Sequence, residues 1–201
     1  AAQQLDTVDT AASAWSKTPT IDGSLNEWTS DECFATSSAG ATQNCVAWDD
    51  TYVYVASKNP DVSAGGAQHW LTIYIGSGTT GTTVGQLFNS QQPSLHHEAS
   101  QLLYWSADDT YSARASWDGN SWLVDSTFFG TAGRDVQESN ANEVVEIRVP
   151  RSDLGLTDTL NLTINWIFEG AMSETTYAMS PEAAITDGYD PDYTQHFSFD
   201  L

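Results

Sequence analysis

Positive charge is nearly missing from this sequence. Its 201 residues carry six Lys and Arg against 27 Asp and Glu, a formal net charge of −21. A surface of that sign repels phosphate, which argues against nucleic acids and anionic lipid as partners. Cysteine is scarce as well. Cys33 and Cys45 are the only two, too few for a zinc site unless histidines join them. The short loop between them is of a size that a disulfide closes readily, which implies an oxidising compartment. No apolar run approaches the roughly 20 residues of a membrane span. No long segment repeats every 3.6 residues, so helix should be scarce. The common catalytic signatures are missing too: there is no G-x-S-x-G, no H-E-x-x-H and no cysteine left over as a nucleophile. Carboxylates are so numerous that a pair at glycosidase spacing would arise by chance. The chain therefore reads as a non-enzyme. It begins at Ala1 without a charged or apolar leader, as expected of a secreted protein, extracellular or periplasmic, whose signal peptide has been removed.

What the chain does have is aromatic residues: eight Trp, eight Tyr and seven Phe. A disordered chain is poor in these, so a packed core is expected despite the charge. The length suits one all-β domain over residues 18–201, preceded by an N-terminal arm or first strand over 1–17. Alternation marks the strands. Val53 and Val55 share one face of a strand over 51–57, with Tyr52 and Tyr54 on the other. Leu71, Ile73 and Ile75 face inward over 69–75, with Trp70, Thr72 and Tyr74 opposite. Leu102 to Trp105 forms a further strand. Asp118-Gly119 predicts a hairpin joining 111–117 to 121–125. Val145, Ile147 and Val149 point inward over 143–149, Glu146 and Arg148 outward, and Pro150 ends the strand. Leu162, Ile164, Trp166 and Phe168 share a face over 160–168, and 196–201 forms the last strand. The fold class is an antiparallel two-sheet β-sandwich.

The order of these segments resembles the family 9 carbohydrate-binding modules. Thr18-Pro-Thr-Ile-Asp-Gly-Ser-Leu-Asn-Glu-Trp28 is similar to their opening TP-x-IDG-x-x-x-E-x-W. Trp48-Asp-Asp-Thr-Tyr-Val-Tyr-Val55 is similar to WD-x-x-YLYV, and Trp70-Leu-Thr-Ile-Tyr-Ile75 to a Trp followed by VEIFID. Val145-Glu-Ile-Arg-Val-Pro150 is similar to VE-x-x-IP. Asp187-Gly-Tyr-Asp-Pro-Asp192 and His196-Phe-Ser-Phe-Asp200 are similar to the closing loop and strand. The C-terminal domain of glucodextranases and the DOMON domains share this sandwich, so the resemblance implies a jelly-roll or immunoglobulin-like architecture. It also implies a sugar clamped between two aromatic rings, with Trp70 and Tyr189 at those positions. Two charged residues of the family are replaced: Thr72 stands for the acid, and Gln101-Leu-Leu-Tyr-Trp105 lacks the arginine.

The candidate site residues follow from these readings. Trp105, Trp117, Trp122 and Tyr74 join Trp70, Thr72 and Tyr189 as possible contacts of a carbohydrate ligand, because pyranose C–H faces lie well on aromatic rings. Trp117 and Trp122 also have a simpler role, cross-strand pairing beside the hairpin turn. Asp187, Asp190 and Asp192 alternate in a Gly- and Pro-containing loop and could converge on Ca²⁺, as related modules carry structural calcium; Asx-turns account for the same residues. Asp22, Glu27, Asp49 and Asp50 are weaker candidates. His96-His97-Glu98 suggests a metal, but neighbours on a strand point to opposite faces. Other functions to weigh are a surface protein self-assembling through its N-terminal arm, and a DOMON-type haem domain using Met172 or Met179.

Overall fold

Apolar alternation in this chain builds two antiparallel sheets packed as a sandwich. The computed structural model describes residues 16–36, 42–78, 80–88, 91–170, 175–182 and 190–201. The strands are β1 (Cys33–Ala35), β2 (Gln43–Trp48), β3 (Tyr52–Lys58), β4 (His69–Gly76), β5 (Thr82–Val84), β6 (Ser94–Ala99) and β7 (Gln101–Ser106). They continue with β8 (Ser112–Trp117), β9 (Trp122–Asp125), β10 (Asp135–Ser139), β11 (Val144–Pro150), β12 (Thr159–Phe168), β13 (Thr175–Ser180) and β14 (Phe197–Asp200). One sheet has the order β1-β2-β3-β11-β10. The other runs β13-β12-β4-β7-β8-β9, with β14 also paired to β12, and β5 and β6 form a separate ribbon. Helix is confined, among the described residues, to α1 (Pro60–Ala64) and a 3-10 turn at Arg151–Leu154. None is long and apolar enough to cross a membrane.

The inward faces meet as the alternation requires. Val53, Val55, Val145, Ile147 and Val149 pack against Leu71, Ile73, Ile75, Leu162, Ile164 and Trp166 in one cluster. Phe168, expected in that row, lies at the rim beyond a bulge at Trp166/Ile167, edge-on to His69. The extra residue of the bulge is Tyr177 of β13, while β12 keeps its register with β4 to the end. Cys33 and Cys45 stand opposite each other in β1 and β2 and form the disulfide.

The outer faces are not left to water. Residues 85–88 and 190–196, with the β5–β6 ribbon, cover the β4 side. Tyr74, Phe88, Leu95, Leu102, Tyr104 and Tyr193 form a second cluster there. On the other sheet Ile21, Leu25 and Trp28 lie over Cys45, Tyr54 and Ala56. Glu146 points outward, as its strand position dictates, yet it is fully buried beneath this segment. Of the expected N-terminal arm, only Ser16 and Lys17 fall within the described residues. Ser16 bridges Trp48 in parallel, and the Lys17 N–H donates to the Trp48 carbonyl at 2.8 Å.

Candidate functional site

The sequence Asp118-Gly-Asn-Ser121 makes a four-residue turn between β8 and β9. Asp118 Oδ1 accepts the backbone N–H of Asn120 at 2.8 Å and of Ser121 at 2.7 Å. These bonds, Ser121 first, hold the Asp118 carboxyl below the ordinary carboxylate range. Gly119 has φ +100°, a conformation that strains any residue with a Cβ. The turn sets Trp117 directly opposite Trp122, with ring centroids 5.7 Å apart and planes at 60°.

Trp122 is fixed from three sides. Besides Trp117, it meets Tyr74 edge-on at 6.0 Å, and its indole N–H donates to the Val84 carbonyl at 3.0 Å. Tyr74 is buried, and its hydroxyl accepts the Gln86 N–H at 3.1 Å. The turn and the segment from Thr82 to Leu87 thus become the two walls of an open cleft of about 670 Å³. Trp117 and Trp122 are partly exposed in it, beside Val84 at 49% and Leu87 at 56% exposure. Gln86, Gln92, Asn120 and Ser121 supply amides and a hydroxyl. Gln92 donates to the Gly85 carbonyl at 3.1 Å. At Gly85 a Cβ would lie 2.6 Å from the Pro93 ring, so the wall can run this close only with glycine. Among the described residues no charged side chain lines the cleft. It offers aromatic faces and neutral groups that both donate and accept.

The other sequence candidates are spread over the fold. Trp70 is partly exposed, in a cluster with Phe88, Tyr104 and Tyr111 at centroid distances of 6.3, 6.1 and 6.0 Å. It lies four positions along β4 from Tyr74, about 13 Å of strand, so the cleft does not include it. Thr72 is buried under the outer cluster and donates to the Asn165 carbonyl at 3.4 Å. Trp105 is 1% exposed in the main core. It lies edge-on to Trp166 at 6.3 Å and donates to Asp109 at 2.9 Å, so it has no face to offer a ligand. Tyr189, Asp187 and Met172 lie outside the described residues. Met179 is fully buried in the outer cluster.

The acidic candidates among the described residues do not gather. Asp190 and Asp192 are exposed. Glu27 accepts the Thr20 hydroxyl at 2.9 Å, and the Asp22 N–H donates to Glu146 at 2.8 Å. Asp49 accepts from Thr51 and Tyr52 at 2.7 Å each, Tyr54 at 2.6 Å and Thr18 at 2.9 Å, which makes it a turn former. Among the described residues no three His, Cys, Asp or Glu side chains are grouped as a metal ion needs. The histidines do meet, through a residue that sequence distance concealed. His196 Nδ1 lies 2.9 Å from His96 Nδ1, and its ring centroid is 5.0 Å from that of His97. No model of a known protein family matches the chain, and no curated protein matches it either.

Proposed function

We propose that this chain is a non-catalytic carbohydrate-binding domain whose sugar site is the cleft between the β8–β9 turn and β5. The observation that carries this reading is the pair of partly exposed indoles, Trp117 and Trp122, held rigidly beside neutral amides in an open cleft. Aromatic faces suit the C–H surfaces of a pyranose, and amides suit its hydroxyls. The five sequence blocks similar to family 9 carbohydrate-binding modules support the same class. The charged contacts of that family are replaced here, and the cleft lies away from Trp70. In this reading the sugar lies in the cleft rather than at the Trp70 position of the family clamp. Isothermal titration against a panel of soluble glycans tests the reading: binding that Trp122→Ala removes supports it, and silence on every glycan overturns it.

The disulfide is consistent with an oxidising extracellular or periplasmic location. Structural Ca²⁺ at the acidic loop around Asp190 and Asp192 belongs to the same reading. A melting temperature equal in EDTA and in Ca²⁺ removes it.

One observation favours a second reading, a self-assembling surface protein. β9 is a sheet edge on which Leu123 and Val124 are 52% and 50% exposed. Such an edge can accept a strand from a neighbour. Large particles in size exclusion that shrink on deletion of residues 1–17 support it, and a monomer at all concentrations sinks it.

A further inference from the structure

A second open cleft, of about 520 Å³, abuts the first, and Trp117 lines both. The two share their walls in sequence order. Thr80 and Gly81 line the second cleft, and the run continues through Thr82 into the first. On the opposite wall Asp118 and Gly119 line the second cleft, while Asn120, Ser121 and Trp122 line the first. The clefts therefore lie in series between the same two segments, with Trp117 at their junction. Trp117 is anchored there by its own backbone, whose N–H donates to the Ser100 carbonyl at 2.9 Å.

Accepting the carbohydrate reading above, we infer that the two clefts form one trench, which takes the interior of an uncharged polysaccharide chain lengthwise across Trp117. A pocket for a single sugar or a chain end would be closed at one side, whereas here space continues past the aromatic ring in both directions. The wall from Thr80 to Leu87 has eight residues and can span at most about 28 Å, which limits the trench to a few consecutive sugars. The two halves differ in chemistry. The Trp122 half is neutral and stacks a ring. The far half carries the exposed Glu98 and Asp118 carboxylates, acceptors for sugar hydroxyls. Those carboxylates, on a chain of net charge −21, repel uronic or sulfated chains.

The test compares the di- and hexasaccharides of the cello-, xylo-, manno- and laminari-series by titration at fixed salt, with heparin as the anionic probe. A dissociation constant at least tenfold lower for the hexasaccharide than for the disaccharide of one series is expected, with no heparin binding. Glu98→Ala should weaken the hexasaccharide by about threefold to tenfold and leave the disaccharide unchanged. A disaccharide that binds as well as the hexasaccharide overturns the trench and leaves the carbohydrate reading standing. So does a Glu98→Ala effect equal on both lengths. Heparin binding as tight as the best neutral hexasaccharide overturns the uncharged-chain assignment. No binding by any oligosaccharide or soluble glycan overturns both.

Discussion

The indole N–H of Trp28 donates to Glu146 at 2.9 Å, joining two residues 118 positions apart. The other carboxylate oxygen accepts the backbone N–H of Asp22 at 2.8 Å and of Gly23 at 2.7 Å. Gly23 has φ +75°, and a Cβ there would fall 2.7 Å from that of Ser139. One buried carboxylate thus pins the segment that covers the outer face of the first sheet. The Ser24 N–H reaches the same oxygen at 3.4 Å, so removing the carboxylate leaves four donors without their acceptor. Glu146→Ala should cost about 3 kcal/mol or more, and Glu146→Gln about 2 kcal/mol, since its amide turns N–H groups toward N–H groups. Urea denaturation followed by tryptophan fluorescence measures both. A Glu146→Gln protein as stable as the wild type would refute the pinning role.

That contact also explains what the sequence revealed and what it hid. The IDG-to-Trp28 block and the Val145-Glu146 block are separate motifs along the chain, and in the fold they are one contact. Alternation set eight of the strands within a residue or two, because each inward row must meet the core, whereas β1, β2, β5, β6, β10 and β13 carry no alternation clear enough to read. It could not say that Glu146 would be buried, since that depends on a segment from far away lying over it. Trp105 was ambiguous for the same reason. Its row is inward, but only the packing against Trp166 settles that it is core. The cleft was half legible: Asp118-Gly119 marked the turn beside Trp117 and Trp122, while the opposite wall came from Val84 and Gln86, which carry no motif.

Acid should destabilise the fold through His97. Burial, with His196 and His96 adding to it, pushes its imidazolium down to about 3, against an unfolded value near 6.5. The folded state therefore holds His97 neutral while the unfolded state takes up a proton. The stability is fully present above about pH 6.5 and is lost as pH falls toward 3, by roughly 1.4 kcal/mol per pH unit from this group. His97→Leu should flatten that part of the profile in thermal melts between pH 7 and pH 4. An unchanged slope would place the acid sensitivity elsewhere.

The Cys33–Cys45 bridge joins directly paired residues of β1 and β2. The covalent loop is short, so the chain-entropy effect is modest. Replacing both cysteines by serine should lower stability by about 2–3 kcal/mol. β1 is a three-residue edge strand, so the loss should appear first as faster amide exchange in β1 and at the β2 edge. Exchange rising equally in β4 and β12 would mean that the bridge supports the whole sandwich.

Trp70 and Trp122 give the sharpest division between the family clamp and the cleft. Trp122 is held by Val84, Tyr74 and Trp117, so its face meets a ligand without further ordering, and little entropy is lost on binding. Trp122→Ala should weaken glycan binding by tenfold or more, from loss of a stacking face worth about 1 kcal/mol and of the wall it braces. Trp122→Phe keeps a ring but loses the bond to Val84, and should fall between Trp122→Ala and the wild type. Trp70→Ala should leave the dissociation constant within twofold of the wild type, because Trp70 packs on Phe88, Tyr104 and Tyr111 and does not line the cleft. Titration of the three variants, with circular dichroism to confirm folding, decides the matter. If Trp70→Ala abolishes binding and Trp122→Ala does not, the sugar lies at the family position and the cleft is not its site.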